Sequence, residues 1–154
     1  MIFTTFLFKI DLFHLIRITL NQKNMDKRVT GIGGIFFKCE DKEAMREWYG
    51  KHLGIATESW GGQFEWRDKD DPDKKCVTAW SPFDSKSDYF HPSKKEFMFN
   101  YRVENLVELL AALKEEGVEV IDKIEEFEYG KFGWIMDPEG RKIELWEPID
   151  EPFL

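Results

Sequence analysis

The chain has 154 residues, 42% of them hydrophobic and 34% charged, with a net charge of −8. That composition fits one soluble globular domain, and the negative charge argues against nucleic acid or an anionic membrane as a partner. Two cysteines, Cys39 and Cys76, are too few for a disulfide scaffold and are expected reduced, in a cytoplasmic setting.

In chain order, residues 1–24 are unlike the rest. They are rich in Phe, Leu and Ile, but Lys9, Asp11, His14 and Arg17 interrupt the run, so no membrane-spanning helix is expected. The run begins at Ile2 with no basic residue before it, and no Ala-x-Ala cleavage site follows, so a secretory signal is not expected. The reading is an extension ahead of a functional start at Met25, against an amphipathic segment for a partner or membrane surface. The domain spans 29–150. Gly31 to Cys39 reads as a strand, Asp41 as an N-cap, and Ala44, Met45, Trp48, Tyr49 and His52/Leu53 as a helical stripe that ends at Gly54. Ile55–Trp60, Gly62–Arg67 and Cys76–Ser81 read as three strands. Phe83 to Lys95 has no period and reads as a connection.

The order then repeats. Glu96–Val103 is a strand, and Asn105 caps a helix with Glu108 placed for a capping box. Leu106, Leu109, Leu110 and Leu113 form its stripe, and Gly117 ends it. Val118–Ile124, Lys131–Met136 and Lys142–Trp146 are strands, the last two joined by the turn Asp137-Pro138-Glu139-Gly140. Residue identities support a duplication of units 29–84 and 96–150. Asp71-Pro72 matches Asp137-Pro138, Trp80 matches Trp146, Pro82 matches Pro148 and Asp84 matches Asp150, all at an offset of 66 residues. Phe64-Glu65-Trp66 matches Phe132-Gly133-Trp134, and Glu40-Asp41 matches Glu104-Asn105. The fold class is α+β, two tandem βαβββ units.

Strand alternation assigns two faces. One carries Gly34, Phe36, Lys38, Phe64, Trp66, Thr78 and Trp80 from the first unit, and Met98, Asn100, Arg102, Phe132, Trp134, Glu144 and Trp146 from the second. The other carries Ile35, Phe37, Cys39, Phe99, Tyr101, Val103, Ile143 and Leu145, which should pack beneath the helices. Helices cover only one face, so a ligand, a second subunit or the sheet's own curvature must cover the other. Glu144 among tryptophans is partly desolvated, which raises a carboxyl pKa and suits a general base. The rival is a carboxylate paired with Lys38 or Arg102. Those two cations could instead hold an anionic group, or sit solvated at strand ends. Asn100 can donate and accept, to a ligand or to backbone. Tyr89, Phe90, Tyr129 and Trp60 close over this face or pack down as loop anchors, while His52 and His91 read as solvent-exposed or capping residues. No phosphate loop, Cys-x-x-Cys pair, His-Glu-x-x-His motif or nucleophile elbow is present.

From Val29 to Pro148 the chain resembles the vicinal oxygen chelate superfamily of glyoxalase I, bleomycin-resistance proteins and extradiol dioxygenases. The resemblance rests on the hairpin around Asp137-Pro138-Glu139-Gly140 with Ile143-Glu144-Leu145, and on Val103-Glu104-Asn105-Leu106. It implies a curved, mostly antiparallel sheet around a central trough, helices outside. The four metal-ligand positions of metal-using members would fall on Gly34, Met98, Thr78 and Glu144, and only Glu144 keeps a ligand-type side chain. No metal or other cofactor is therefore expected. The implied function is bleomycin-resistance-like binding of a small, partly aromatic molecule. The alternatives are a metal-independent or atypical-metal lyase or isomerase of the glyoxalase type, or a dioxygenase-like enzyme, using Glu144, and an interaction module whose aromatic face is a dimer interface. A homodimer is expected.

Overall fold

The computed structural model describes residues 27–154; the extension read at 1–24 lies outside the described residues. Among the described residues no helix is long and apolar enough to cross a membrane. The first unit runs β1 (Val29–Cys39), α1 (Lys42–Leu53), β2 (Gly62–Arg67) and β3 (Lys75–Asp84). The second runs β4 (Phe97–Val103), α2 (Leu106–Glu115), β5 (Glu119–Phe127), β6 (Gly130–Met136) and β7 (Lys142–Pro148). The strands form one sheet in the order β2-β3-β1-β4-β7-β6-β5.

The centre of the sheet is pseudo-symmetric. There β1 and β4 are antiparallel, with Ile35 opposite Phe99, Gly34 opposite Asn100 and Phe36 opposite Met98. On either side β1 pairs in parallel with β3, and β4 with β7. A pseudo-twofold axis therefore passes between Ile35 and Phe99. It also fixes which residues correspond. Ile35 pairs with Trp80 and Phe99 with Ile143, so Trp80 is the counterpart of Ile143, not of Trp146. The turn identities place these strands three residues out of step. An odd slip moves a side chain to the opposite face. Trp80 accordingly packs under α1, 5.4 Å from the Phe37 ring and 4.8 Å from that of Tyr49, and not in the trough where alternation from the repeat put it.

Two further expectations change. Ile55–Trp60 is not a strand; only Thr57 makes an isolated bridge, to Gly62. Glu58 and Gly61 exchange both backbone hydrogen bonds, at 2.6 and 3.2 Å, and that tight turn uses the groups a ladder would need. In the second unit the equivalent segment extends to Phe127 and forms β5. Asn105 does not cap α2 with its side chain; it sits at φ 50°, ψ 56°. The free Leu106 N–H instead donates to Glu147 on β7 at 2.7 Å, a tertiary cap in place of a local one. Asp41 does cap α1, accepting from Ala44 N–H at 2.9 Å, and Gly54 ends that helix at φ 69°.

The helices cover the outer face unequally. Leu106 and Leu110 of α2 are buried against Val103 and Leu145. No residue of α1 is buried. Between the helices the outer face of β1 and β4 is open, leaving Ile35 and Phe99, expected beneath them, partly exposed with Ile32 and Phe97. The larger core lies on the inner face. Phe36, Val77, Phe90, Met98, Phe132, Trp134 and Trp146 form it, with Phe83, Tyr89, Tyr129 and Phe153 packed around them. The C-terminal tail crosses one end of this trough. Gln63 donates to Phe153 O at 2.9 Å, and the Phe153 ring lies 5.9 Å from that of Trp146.

Candidate functional site

The site is built on the β6–β7 hairpin. Asp137 organises its turn: the carboxylate accepts from the N–H groups of Glu139 (2.9 Å) and Arg141 (2.8 Å) and from the Arg141 guanidinium (3.1 Å). Those bonds hold its pKa below the usual carboxylate range. The register they fix sets Trp134 opposite Glu144. The parallel pairing of β4 with β7 sets Asn100 beside Glu144 from the other side.

Glu144 is 2% exposed. One carboxylate oxygen accepts from the Asn100 amide at 2.7 Å. The other accepts from the Trp134 indole N–H at 2.8 Å and from the Tyr89 hydroxyl. Burial pushes the Glu144 pKa up, opposed by those three donors and by the Lys142 charge. Burial pushes Lys142 down, opposed chiefly by Glu144. The Lys142 ammonium donates to Tyr89 O at 2.6 Å and stands 5.1 Å from the Tyr89 ring and 5.0 Å from the Trp134 ring. Tyr89 is pushed up by burial first and by Glu144 second. The Oδ1 atom of Asn100 is buried without a hydrogen-bond partner. It presses against Gly33, where a Cβ would stand 2.0 Å from it and 2.9 Å from Trp146.

Of the residues singled out in the sequence, Phe36, Met98, Asn100, Phe132, Trp134, Glu144 and Trp146 meet in this trough. Phe132 and Trp146 stack at 5.7 Å and 9°. Others do something else. Arg102 is buried and held by both oxygens of Asp150, with Val77 O at 3.1 Å and the rings of Trp146 and Trp66 at 4.9 and 5.5 Å. Lys38 donates to Ser87 O at 2.7 Å. Both cations are thus engaged by the fold, and neither pairs with Glu144. The Thr78 hydroxyl accepts from Trp66 and donates to Ile32 O. Phe64 is 45% exposed on β2, outside the core cluster. The loop aromatics Tyr89, Phe90 and Tyr129 pack down into the trough. Lys142 was missed, although alternation puts it on the face of Glu144 and Trp146. Asp150 was visible only as the repeat partner of Asp84.

The donor set does not fit a divalent metal. The position across the axis from Glu144 is Ser81, whose hydroxyl donates to Trp60 O. Gly34 and Met98 offer no hard ligand. Three N–H or O–H donors converge on the one carboxylate, where a cation would need open lone pairs. Among the described residues no group of three or more His, Cys, Asp or Glu converges. The Tyr89 and Phe90 rings fill the trough beside Glu144, and cavities of about 420 and 370 Å³ lie elsewhere, between α2 and β5 and beside the C-terminal tail.

No family model matches the sequence, and no curated protein matches it. Solved structures do. The methylmalonyl-CoA epimerase from Mycobacterium tuberculosis is 19% identical, with a TM-score of 0.53, over 83% of this chain and 94% of that one. A methylmalonyl-CoA epimerase in complex with methylmalonyl-CoA and NH4+ is 15% identical, with a TM-score of 0.58, over 78% and 95%. The NAD-dependent benzaldehyde dehydrogenase from Legionella pneumophila is 11% identical, with a TM-score of 0.51, over 75% and 98%. At these identities the likeness shows a fold, and the differing names show that the fold does not fix the activity.

Proposed function

We propose that this chain, which has the glyoxalase-like fold of the vicinal oxygen chelate superfamily, binds a small, partly aromatic molecule in its trough without a tightly held metal. The observation that carries the reading is the Glu144 carboxylate, buried among aromatic walls and met by three donors. One polar group among apolar walls can fix a ligand's orientation while the walls supply affinity, once the ring that fills the space beside it gives way. The epimerase crystallised with methylmalonyl-CoA supports a small-molecule ligand in this fold; nothing in the trough of this chain marks a coenzyme A site. Trp134 and Trp146 are each 3% exposed within the single chain, so an interaction module would have to use a face other than theirs.

Elemental analysis and a ligand screen test the proposal together. Purified protein should carry no stoichiometric divalent metal. Planar aromatic compounds should raise its melting temperature and quench tryptophan fluorescence. Trp134→Ala should weaken their binding by about 1–3 kcal/mol, the scale of a lost aromatic anchor. One equivalent of metal that disappears in Glu144→Gln overturns the metal-free reading, and a screen without quenching overturns the binding reading. The pKa shift that burial imposes on Glu144 favours a second reading, an isomerase or lyase with Glu144 as base. Glu144→Gln then alters the pH profile of turnover more than ligand affinity.

A further inference from the structure

Residues 85–96, which join β3 to β4, contain no helix or strand. Unstructured connections of this length are uncommon in compact domains and are often functional. This one is pinned across the trough. Lys38 donates to Ser87 O, Lys142 to Tyr89 O, and the Ser93 hydroxyl to Gly140 O at 2.8 Å. Phe90 has no exposed surface. None of these pins uses the Tyr89 side chain, so the connection stays in place if that side chain turns away.

The Tyr89 side chain is held as a bound molecule would be. Its hydroxyl donates to Glu144. Its ring stacks on Phe83 at 5.3 Å and 13°, meets Trp134 edge-on at 6.3 Å and 89°, and lies 5.1 Å from the Lys142 ammonium. Acceptor, stacking face, edge and overlying cation together recognise a planar ring bearing a hydroxyl. We propose, on the reading of the trough as a ligand site, that Tyr89 is a resident stand-in for the ligand, and that the ligand is a neutral phenol or a similar planar aromatic donor that takes its place on Glu144. An anionic ring would face the Glu144 carboxylate. A cation would face Lys142 and the donors of Asn100 and Trp134. An aliphatic molecule would leave the stacking faces unused. The strong upward push on the Tyr89 hydroxyl agrees with a pocket that keeps phenols neutral.

The test titrates phenol, anisole and benzoate into the full chain and into Tyr89→Ala, read by tryptophan fluorescence and melting temperature. Tyr89→Leu, which keeps more apolar fill, replaces the alanine variant if that one fails to fold. Phenol should quench the wild type, bind the variant at least tenfold more tightly, and exceed anisole at least tenfold in the variant; benzoate should not bind. Anisole equal to phenol overturns the proposal, since Glu144 then does not read the hydroxyl. So does preferred binding of benzoate. Binding to the variant with none to the wild type also overturns it, because Tyr89 is then structural fill. If none of the three binds, the phenol class is wrong. Quenching by other planar compounds then leaves the trough reading intact, and its absence removes both.

Discussion

Replacing Asp150 with alanine tests how the trough is closed. Arg102 is 2% exposed and Asp150 8%. Asp150 gives the guanidinium two of its three hydrogen bonds; the third goes to Val77 O. Breaking one partner of a buried ion pair costs roughly 3–5 kcal/mol, because the other charge is left without compensation. Val77 O and the two tryptophan rings remain beside Arg102, which puts the loss at the lower end, about 3 kcal/mol. At about 2–4 °C per kcal/mol for a chain of this size, the melting temperature should fall by roughly 6–12 °C. Urea unfolding should show the same change in midpoint with an unaltered slope. The double variant Arg102→Met with Asp150→Leu removes both charges and should recover most of the loss. A fall of less than about 3 °C for Asp150→Ala would show that water, not Asp150, satisfies Arg102, and that the buried pair is not what stabilises this end of the trough.

Gly33→Ala places a methyl against Asn100 and Trp146, and unfolding should register a loss of about 1–3 kcal/mol from overpacking; unchanged stability would mean that Asn100 is free to move aside. Trp80→Ala should cost about 3–5 kcal/mol in unfolding experiments yet leave ligand affinity unchanged, because the ring lies under α1; a selective loss of binding would return Trp80 to the trough. Glu144 carries a raised pKa in the folded chain. Its favourable contribution is therefore complete below about pH 4.3, the ordinary glutamate value, and is lost as pH rises through the higher folded value. Stability of the wild type relative to Glu144→Gln should fall across that window, and parallel pH profiles would refute the shift.

Much of the architecture was legible because its signals are local. The Asp41 cap, the leucine stripe of α2 and the turn at Asp137 each act within a few residues. Trp80 failed for a physical reason. The repeat was aligned on the Asp-Pro turns, but β3 takes its register from β1, and the loops on either side of the strand absorb the difference. Asn105 failed because the acceptor for the Leu106 N–H is Glu147 of β7, 41 residues from Leu106. Lys142 was legible and overlooked: period two sets it beside Glu144. The placement of Tyr89 was not legible. Its loop has no period, and its contact with Glu144 joins residues 55 apart, a distance that only the assembled sheet closes.

The pseudo-twofold axis has a consequence for stoichiometry. Here the axis relates Glu144 to Ser81, Asn100 to Phe36 and Lys142 to Ala79. Every polar group that gives the site direction therefore has a small or apolar counterpart, and Ser81 has turned its hydroxyl to the backbone of Trp60. On the proposed reading an occupant would have one way round, not two, and a saturating titration should end at a single molecule per chain. If the trough is a ligand site, substitution in the first half should alter its volume, whereas substitution in the second half should alter which molecule is held.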